Sequence, residues 1–133
     1  QYLEYSLKYI KKILKKLSED PVTSKTPTIV FARDPKCNLN EFKLDGLSCY
    51  GMFTSVDPIS AIRIFEGSHA LQGNLDPKIL LEEDSVIKES AIKMLSEFKD
   101  FPGYIFNLGH GITPDINPDK VKVLVEAIRE SGT

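Results

Sequence analysis

Four short apolar runs alternate with stretches that carry helix signals, and this alternation constrains the fold more than any other feature of the chain. The runs are residues 28–32, 48–52, 69–72 and 104–108, and a helical pattern follows each of them. One more helical pattern precedes the first run. Such an order requires parallel strands joined by right-handed crossovers, with helices covering the sheet. The sequence therefore predicts an α/β fold made of one helix and four strand–helix units.

Proline marks the start of three of the predicted helices. Asp57-Pro58, Asp76-Pro77 and Asn117-Pro118 each place a polar side chain at the N-cap and proline at the first helical position. Asp57 and Asp76 are accordingly predicted to be caps and not catalytic acids. The predicted helices cover residues 2–17, 38–44, 58–67, 77–81, 85–98 and 118–132. Their predicted buried faces are Tyr2, Leu3, Leu7, Ile10, Ile13, Leu14 and Leu17; Ile59, Ile62 and Phe65; Ile87, Ala91, Met94, Leu95 and Phe98; and Val121, Leu124, Val125 and Ile128.

The strand–helix pattern leaves two architectures open. Four units amount to about half of an eight-unit barrel, and an open doubly wound sheet would give the same pattern. No glycine-rich phosphate fingerprint follows any strand, which disfavours a nucleotide-binding version. Residues 28–32 form a continuous apolar run, which is typical of a strand buried on both faces.

Composition excludes several classes of function. The net charge of −2 gives no case for binding nucleic acid or an anionic membrane, and no apolar run approaches the twenty residues of a membrane-spanning helix. The lysines between Lys8 and Lys16 are predicted to form a solvated helix face. Cys37 and Cys49 are predicted to be free thiols in a reducing compartment. Because the chain lacks both an initiating methionine and a signal peptide, we expect it to begin inside a longer protein.

The last apolar run leads into a histidine held between two glycines, Gly109-His110-Gly111. Glycine allows a sharp turn and leaves the imidazole uncrowded. In parallel α/β barrels the side chains that do chemistry lie at the carboxyl ends of the strands. His110 is therefore a candidate to bond a substrate carboxylate or to carry a proton. The alternative is a histidine that fixes its loop through a backbone hydrogen bond.

Three other polar side chains lie near predicted strand ends: Gln72, Asn74 and Arg33. The two amides could reach a substrate, but the favoured interpretation is that they tie adjacent loops together. Arg33 could attract a polycarboxylate, although an ion pair with Asp34 or another acid at this rim is favoured. His69 opens its strand at the opposite end and is predicted to be structural. No cluster of Cys, His and carboxylate residues accompanies these positions, so no metal site is predicted.

Two motifs resemble the C-terminal part of the uroporphyrinogen decarboxylase family. They are Gln-Gly-Asn-Leu-Asp-Pro at 72–77 and Phe-Asn-Leu-Gly-His-Gly at 106–111, and Pro-Thr-Ile-Val-Phe-Ala-Arg at 27–33 is similar to a third family strand. The resemblance implies that residues 1–133 are the last four units of a single TIM-like (β/α)8 barrel domain. It also implies an enzyme of the cytosol or of plastids that forms a homodimer and uses no metal and no organic cofactor.

The family enzyme removes the carboxyl groups of the four acetate arms of uroporphyrinogen III and yields coproporphyrinogen III. It protonates a pyrrole carbon, uses the ring nitrogen as an electron sink and releases carbon dioxide. Of the family's substrate-holding residues, the resemblance carries over only His110. The N-terminal arginines, an aspartate, a tyrosine and a serine have no counterpart in these residues, so the chain alone is predicted to be inactive. Phe53 departs from the family, which usually has aspartate there, and so does the loop Pro35-Lys36-Cys37.

Two rival interpretations remain open at this stage. A related barrel methyltransferase would act on corrinoids or thiols with zinc held by thiolates and histidine, but no cysteine follows Cys49. A truncated chain could instead serve as a non-catalytic interaction module. In either case half a barrel would expose two sheet edges and an apolar interior, so we expect the isolated chain to self-associate.

Overall fold

The computed structural model describes residues 1–131. Within that range four parallel strands form one sheet: β1 (Ile29–Phe31), β2 (Cys49–Gly51), β3 (Ala70–Gln72) and β4 (Tyr104–Ile105). Their order in the sheet follows the sequence, β1-β2-β3-β4. A doubly wound sheet reverses its strand order, whereas in a barrel each strand pairs with the next. The predicted α/β class is confirmed, and the strand order is that of a barrel segment.

Helices connect the strands as the sequence predicts. They are α1 (Lys8–Glu19), α2 (Pro58–Phe65), α3 (Asp84–Glu97) and α4 (Pro118–Ser131), with a π-helical turn at Leu3–Leu7 and 3-10 turns at Leu39–Phe42 and Pro77–Leu81. The predicted end of the last helix at Gly132 lies outside the described residues. None of the described helices is both long enough and apolar enough to cross a membrane.

The three predicted caps are present. A carboxylate oxygen of Asp57 accepts the Ser60 N–H at 2.9 Å, and Asp76 accepts the Lys78 N–H at 3.0 Å. Asn117 accepts the Asp119 N–H at 3.0 Å. Each of these bonds satisfies a backbone donor that the first turn of a helix leaves free.

One face of the sheet packs against the helices. Tyr50 and Leu71 are fully buried on this face, where Val30 and Tyr104 are partly buried beside them. Tyr50 stacks between Phe42 and Phe65, with ring centroids 4.6 and 5.2 Å apart. A second cluster fills the space between α3 and α4: Leu75, Leu80, Ile87, Ala91, Ile116, Leu124 and Ala127.

The other face of the sheet is open, which corrects the prediction that residues 28–32 are buried on both sides. Strand register places Ile29, Phe31, Gly51, Gln72 and Ile105 on this face, which we call the inner face. The large apolar residues on the inner face are about half exposed: Ile29 is 51% exposed, Phe31 is 47% exposed and Ile105 is 44% exposed. Among the described residues no element covers them, as expected for a barrel interior without its other half.

Four predicted core positions are wrong. Leu3 lies in the π-helical turn, where i to i+5 bonds change the angular spacing, and Ile13 faces a groove beside the open edge of β1. Ile59 is 56% exposed because Ala61 and Phe65 set the inward face of α2 and Ile59 points about 200° away from Ala61. Val125 is exposed, and Ala127 is buried in its place.

Candidate functional site

A cavity of about 310 Å³ lies at the carboxyl ends of the strands on the inner face. Every strand or the loop after it contributes to its wall, which is formed by Phe31, Gly51, Met52, Gln72, Asn107, Leu108, His110, Gly111 and Ile112. His110 and Gln72 thus line the same cavity. The structure does not place Asn74 or Arg33 in the wall.

The segment after β4 continues alongside β3 before it turns, and this carries His110 to the cavity. The Leu75 N–H donates to the Asn107 carbonyl at 3.1 Å, and the Gly109 N–H donates to the Leu75 carbonyl at 2.8 Å. Leu75 and Leu108 form an isolated parallel bridge. These bonds extend the β3–β4 pairing past Ile105 and hold the chain up to the residue before His110.

Gly109 is required at its position by close packing. A Cβ atom there would lie 2.6 Å from both the backbone N and the Cα of Thr54, distances that real Cβ atoms do not show. The loop after β4 therefore packs directly on the backbone of the loop between β2 and α2. Gly111 has no atom within 4 Å of an ideal Cβ, so its side of the turn is open.

Among the described residues the imidazole of His110 has one hydrogen-bond partner. Its Nδ1 lies 2.8 Å from the carbonyl oxygen of Gly111. Because a carbonyl oxygen only accepts, Nδ1 carries a proton, and Nε2 is then a free lone pair in the neutral ring or a donor in the charged ring. Nε2 has no hydrogen-bond partner among residues 1–131. The loop-fixing bond of the alternative interpretation is thus present, yet it leaves one ring nitrogen available.

Asn74 fixes the loop that Gly109 packs on. It is 4% exposed, and its Nδ2 donates to the carbonyl oxygens of Phe53 and Val56 at 3.0 and 2.8 Å, with Thr54 at 3.4 Å. Its Oδ1 has no partner within the described part of the chain. These contacts agree with the favoured interpretation that this amide ties adjacent loops, whereas Gln72 lines the cavity.

The ion pair favoured for Arg33 is wrong. Asp34 pairs instead with Lys36, at 2.8 Å, and Arg33 is exposed with no ion pair in residues 1–131. The chain bends at Arg33 and Asp34, where Asp34 has a φ of 45°. His69 has the structural contact expected of it, since its Nε2 lies 3.1 Å from the Leu44 carbonyl oxygen at the other end of the sheet.

Two aromatic residues belong to the site but were not predicted as parts of it. Phe31 could have been found from the alternation of side chains along β1, which puts it on the face of Gly51 and Gln72. Its ring atoms lie over Gly51, where a Cβ would be 3.1 Å from the Phe31 Cβ. Phe53 stood out only as a departure from the family, and no local pattern connects it with His110.

The thiols and carboxylates of the described residues do not form a metal-binding group. No set of three or more His, Cys, Asp and Glu side chains lies close enough together in residues 1–131 to hold an ion. Both cysteines are free, and burial raises the pKa of Cys37 and Cys49. A raised pKa leaves less thiolate at neutral pH, which makes either residue a poor nucleophile.

The fold has a counterpart among solved structures. A methyltransferase from Methanosarcina mazei superimposes with a TM-score of 0.69 at 17% sequence identity, and the match covers all of this chain and 40% of that one. At this level of identity the likeness concerns the fold alone. It supports assignment of the four units to a larger α/β protein.

Several curated proteins are more similar to this chain in sequence than the methyltransferase is. Uroporphyrinogen decarboxylase of Alcanivorax borkumensis is 36% identical over 129 residues, which are 97% of this chain and 36% of the relative. Uroporphyrinogen decarboxylases of Vesicomyosocius okutanii and Chloroherpeton thalassium are each 38% identical, over 96% and 98% of this chain and 36% and 37% of their own lengths. The chain thus spans little more than a third of the relatives it matches.

A family model described as uroporphyrinogen decarboxylase (URO-D) matches residues 1–131. The match covers all four strand–helix units and both motifs that carry the resemblance, at 72–77 and 106–111. The chain belongs to the uroporphyrinogen decarboxylase family.

Proposed function

We propose that residues 1–133 are the C-terminal part of the barrel of a uroporphyrinogen decarboxylase. In this proposal the whole protein converts the four acetate arms of uroporphyrinogen III to methyl groups, giving coproporphyrinogen III for haem synthesis. The similarity to named decarboxylases along nearly the entire chain supports it. The cavity at the carboxyl ends of the strands supports it as well, since that is where barrel enzymes bind their substrates.

His110 is the residue proposed to meet the substrate. The observation that carries this assignment is that His110 lines the cavity while its Nε2 has no hydrogen-bond partner among residues 1–131. Uroporphyrinogen presents carboxylates on every pyrrole ring. A charged imidazole would donate to such a carboxylate in a strong charge-assisted bond. Gln72 lines the same wall and offers an amide that can donate to a second oxygen. Arg33, exposed at the rim and without an ion pair in residues 1–131, is a third and weaker candidate for the same carboxylates.

The reaction at each arm consumes one proton and releases one molecule of carbon dioxide. Protonation of a pyrrole carbon places positive charge that the ring nitrogen shares. The C–C bond to the carboxylate then breaks and its electron pair returns to the ring system, after which a proton at the new CH2 terminus completes the methyl group and one proton leaves the ring. The pyrrole itself is the electron sink, so the proposal needs no metal and no organic cofactor.

The chain by itself is proposed to be inactive. Its cavity opens on the uncovered inner face, and among the described residues no lysine or arginine lines the wall. Four acetate and four propionate groups require more positive charge than this. The arginines that the family uses for them belong to units outside these residues.

The compartment proposed for the whole protein is the one in which the family works: the cytosol, or the plastid in a plant or alga. The homodimer of the whole protein stays a prediction.

Replacing His110 by glutamine in the protein that contains the complete barrel tests the proposal. If His110 binds a carboxylate, KM should rise about tenfold to a hundredfold with kcat largely kept, because a charged hydrogen bond contributes about 1.5–3 kcal/mol. If it carries a proton, kcat should fall by about 10²–10⁴. His69→Gln is the matched control, since the His69 ring contacts the Leu44 carbonyl and the Phe65 ring at the other end of the sheet, and it should leave both constants unchanged.

Three results would contradict the assignment. A complete-barrel protein that releases no carbon dioxide from uroporphyrinogen would favour the interaction-module interpretation. Unchanged kinetics of His110→Gln would remove His110 from the site while leaving the family reaction intact. Decarboxylation by the 133-residue chain alone would show that the absent units are not needed.

A further inference from the structure

Two neighbouring residues after β3 hold two segments of the rim. The side chain of Asn74 binds the loop between β2 and α2, while the backbone of Leu75 binds the segment that leads to His110. All of these bonds join units within residues 1–131, so they do not depend on the rest of the barrel. Residues 74 and 75 are therefore the common anchor of two segments that meet beside the cavity.

The surroundings of the Asn74 amide fix its orientation. Its Nδ2 lies 3.0 Å from the Phe53 carbonyl oxygen and 2.8 Å from that of Val56, with that of Thr54 at 3.4 Å. Carbonyl oxygens only accept hydrogen bonds, so the group that faces them is the NH2 donor and not the amide oxygen. The side chain is buried, and removal of a buried donor leaves its acceptors unsatisfied.

The loop closes around this amide. The Val56 N–H donates to the Phe53 carbonyl at 2.9 Å, so that carbonyl accepts one bond from its own loop and one from Asn74. The amide thus binds both ends of a four-residue turn, residues 53–56. Its position relative to β3 is set by the Asn74 side chain.

The same turn touches the His110 segment at two points. The Phe53 ring lies against the imidazole, and Gly109 packs directly on the backbone of Thr54. The Leu75 carbonyl accepts the Gly109 N–H, so the residue before His110 is held from the same anchor. The place of the imidazole is therefore set jointly by the turn that Asn74 binds and by the backbone of the next residue.

We propose that Asn74 is a positioning residue for His110: by holding residues 53–56 it keeps the imidazole where it meets the substrate. This inference rests on the role proposed above for His110 in decarboxylation. Asn74 does not line the cavity, so its effect on the reaction passes through His110. A displacement of about 1 Å at a substrate-contacting group can cost about a hundredfold in rate.

Replacing Asn74 by aspartate in the protein that contains the complete barrel tests this role. Aspartate has nearly the same shape but no NH2 group, so it would turn an acceptor toward the carbonyl oxygens. The value of kcat/KM for uroporphyrinogen should fall about tenfold to a hundredfold, through whichever constant His110→Gln changes. Asn38→Asp is the matched control, because Asn38 accepts the Asn40 N–H through its oxygen, which aspartate keeps. Both constants should then stay unchanged.

A double variant distinguishes positioning from a general loss of structure. In a His110→Gln background, Asn74→Asp should lower kcat/KM by no more than about twofold further, because the group that it positions is already gone. A purely structural role would lower it by the same factor in both backgrounds. If Asn74→Asp does not fold, Asn74→Ser gives the same comparison with a smaller side chain that keeps a hydroxyl donor.

Imidazole NMR tests the placement independently of the reaction. The C–H resonances that disappear in His110→Gln belong to His110, and Asn74→Asp should shift them while those of His69 stay. This measurement still decides the inference if the complete protein does not decarboxylate uroporphyrinogen, a result that would contradict the proposed function alone. Unmoved His110 resonances, a full further loss in the His110→Gln background, or an equal loss in Asn38→Asp would each overturn the proposal.

Discussion

The phenyl ring of Phe53 lies against the imidazole of His110, with centroids 5.7 Å apart and planes tilted by 30°. Phe53 belongs to the loop between β2 and α2, whose carbonyl oxygens Asn74 binds. A residue of the β3 end thus fixes a loop from β2, and that loop supports a side chain delivered by β4. Three neighbouring units depend on one another at this rim.

Replacing Phe53 by leucine should change the surroundings of His110 while the fold is kept. The ring current of the phenyl group shifts the imidazole proton resonances, and leucine removes it. The chain contains only two histidines, so two-dimensional NMR of the imidazole C–H groups resolves both. The His110 resonances should move and those of His69 should not. Equal movement of both sets would indicate a global change instead.

Gly109→Ala should destabilise the fold, because the new methyl group would overlap the backbone of Thr54. Overpacking of this kind costs about 1–3 kcal/mol in the free energy of unfolding. Gly111→Ala is the matched control two residues away, where an ideal Cβ meets nothing within 4 Å. Urea unfolding of the two variants should separate them. Equal stability would mean that the loops after β2 and β4 do not touch.

Two tyrosines of the sheet, Tyr50 (buried) and Tyr104 (partly buried), should respond in opposite ways to loss of their hydroxyl groups. Tyr50 Oη is buried without a partner in the described residues, whereas Tyr104 Oη donates to the Gly73 carbonyl. Burial raises the pKa of both phenols, so neither is ionised at neutral pH. Tyr50→Phe should leave the free energy of unfolding unchanged or raise it, while Tyr104→Phe should lower it by about 1 kcal/mol. Chemical denaturation measures both, and a larger loss at Tyr50 would show that its hydroxyl is bonded.

The cap of α2 should make stability depend on pH in the acid range. The hydroxyl and N–H of Ser60 both donate to the Asp57 carboxylate and hold its pKa below the ordinary value of 3.8. A lowered folded-state pKa contributes stability above the unfolded value, and this contribution is lost as the pH falls through the folded value. The stability advantage of the native chain over Asp57→Asn should therefore shrink below about pH 4. Ser60→Ala should reduce this pH dependence. A difference in unfolding free energy between the native chain and Asp57→Asn that stays constant down to pH 2 would refute the prediction.

The strand order could be predicted only in part from the sequence. Helix caps and apolar runs are local patterns, so the positions of Asp57, Asp76 and the four strands were found correctly. Whether the strand order reverses, as in a doubly wound sheet, or stays consecutive, as in a barrel, depends on long-range pairing, which no local pattern encodes. The same holds for the exposure of Ile29, because a continuous apolar run looks alike whether or not a second layer covers it.

The candidate site shows the same division. His110 was identified because two glycines and a strand end are visible in the sequence. The contact between Gly109 and Thr54 and that between Phe53 and His110 join residues more than fifty positions apart. Proximity in sequence does not predict the partner of Arg33, because the Asp34 carboxylate pairs with Lys36 instead.

The consecutive order of the strands has a consequence for synthesis. Each strand can dock on the one made before it as soon as it leaves the ribosome, because its partner is already present. The chain between β3 and β4 takes roughly 2–6 s to translate at typical rates. During that interval the first three strands wait with part of the cavity wall in place, and the wall is finished only when the residues around His110 emerge. The candidate pocket is therefore complete only after β4 and the residues around His110 have emerged, and a nascent chain that stalls before Tyr104 carries an unfinished wall.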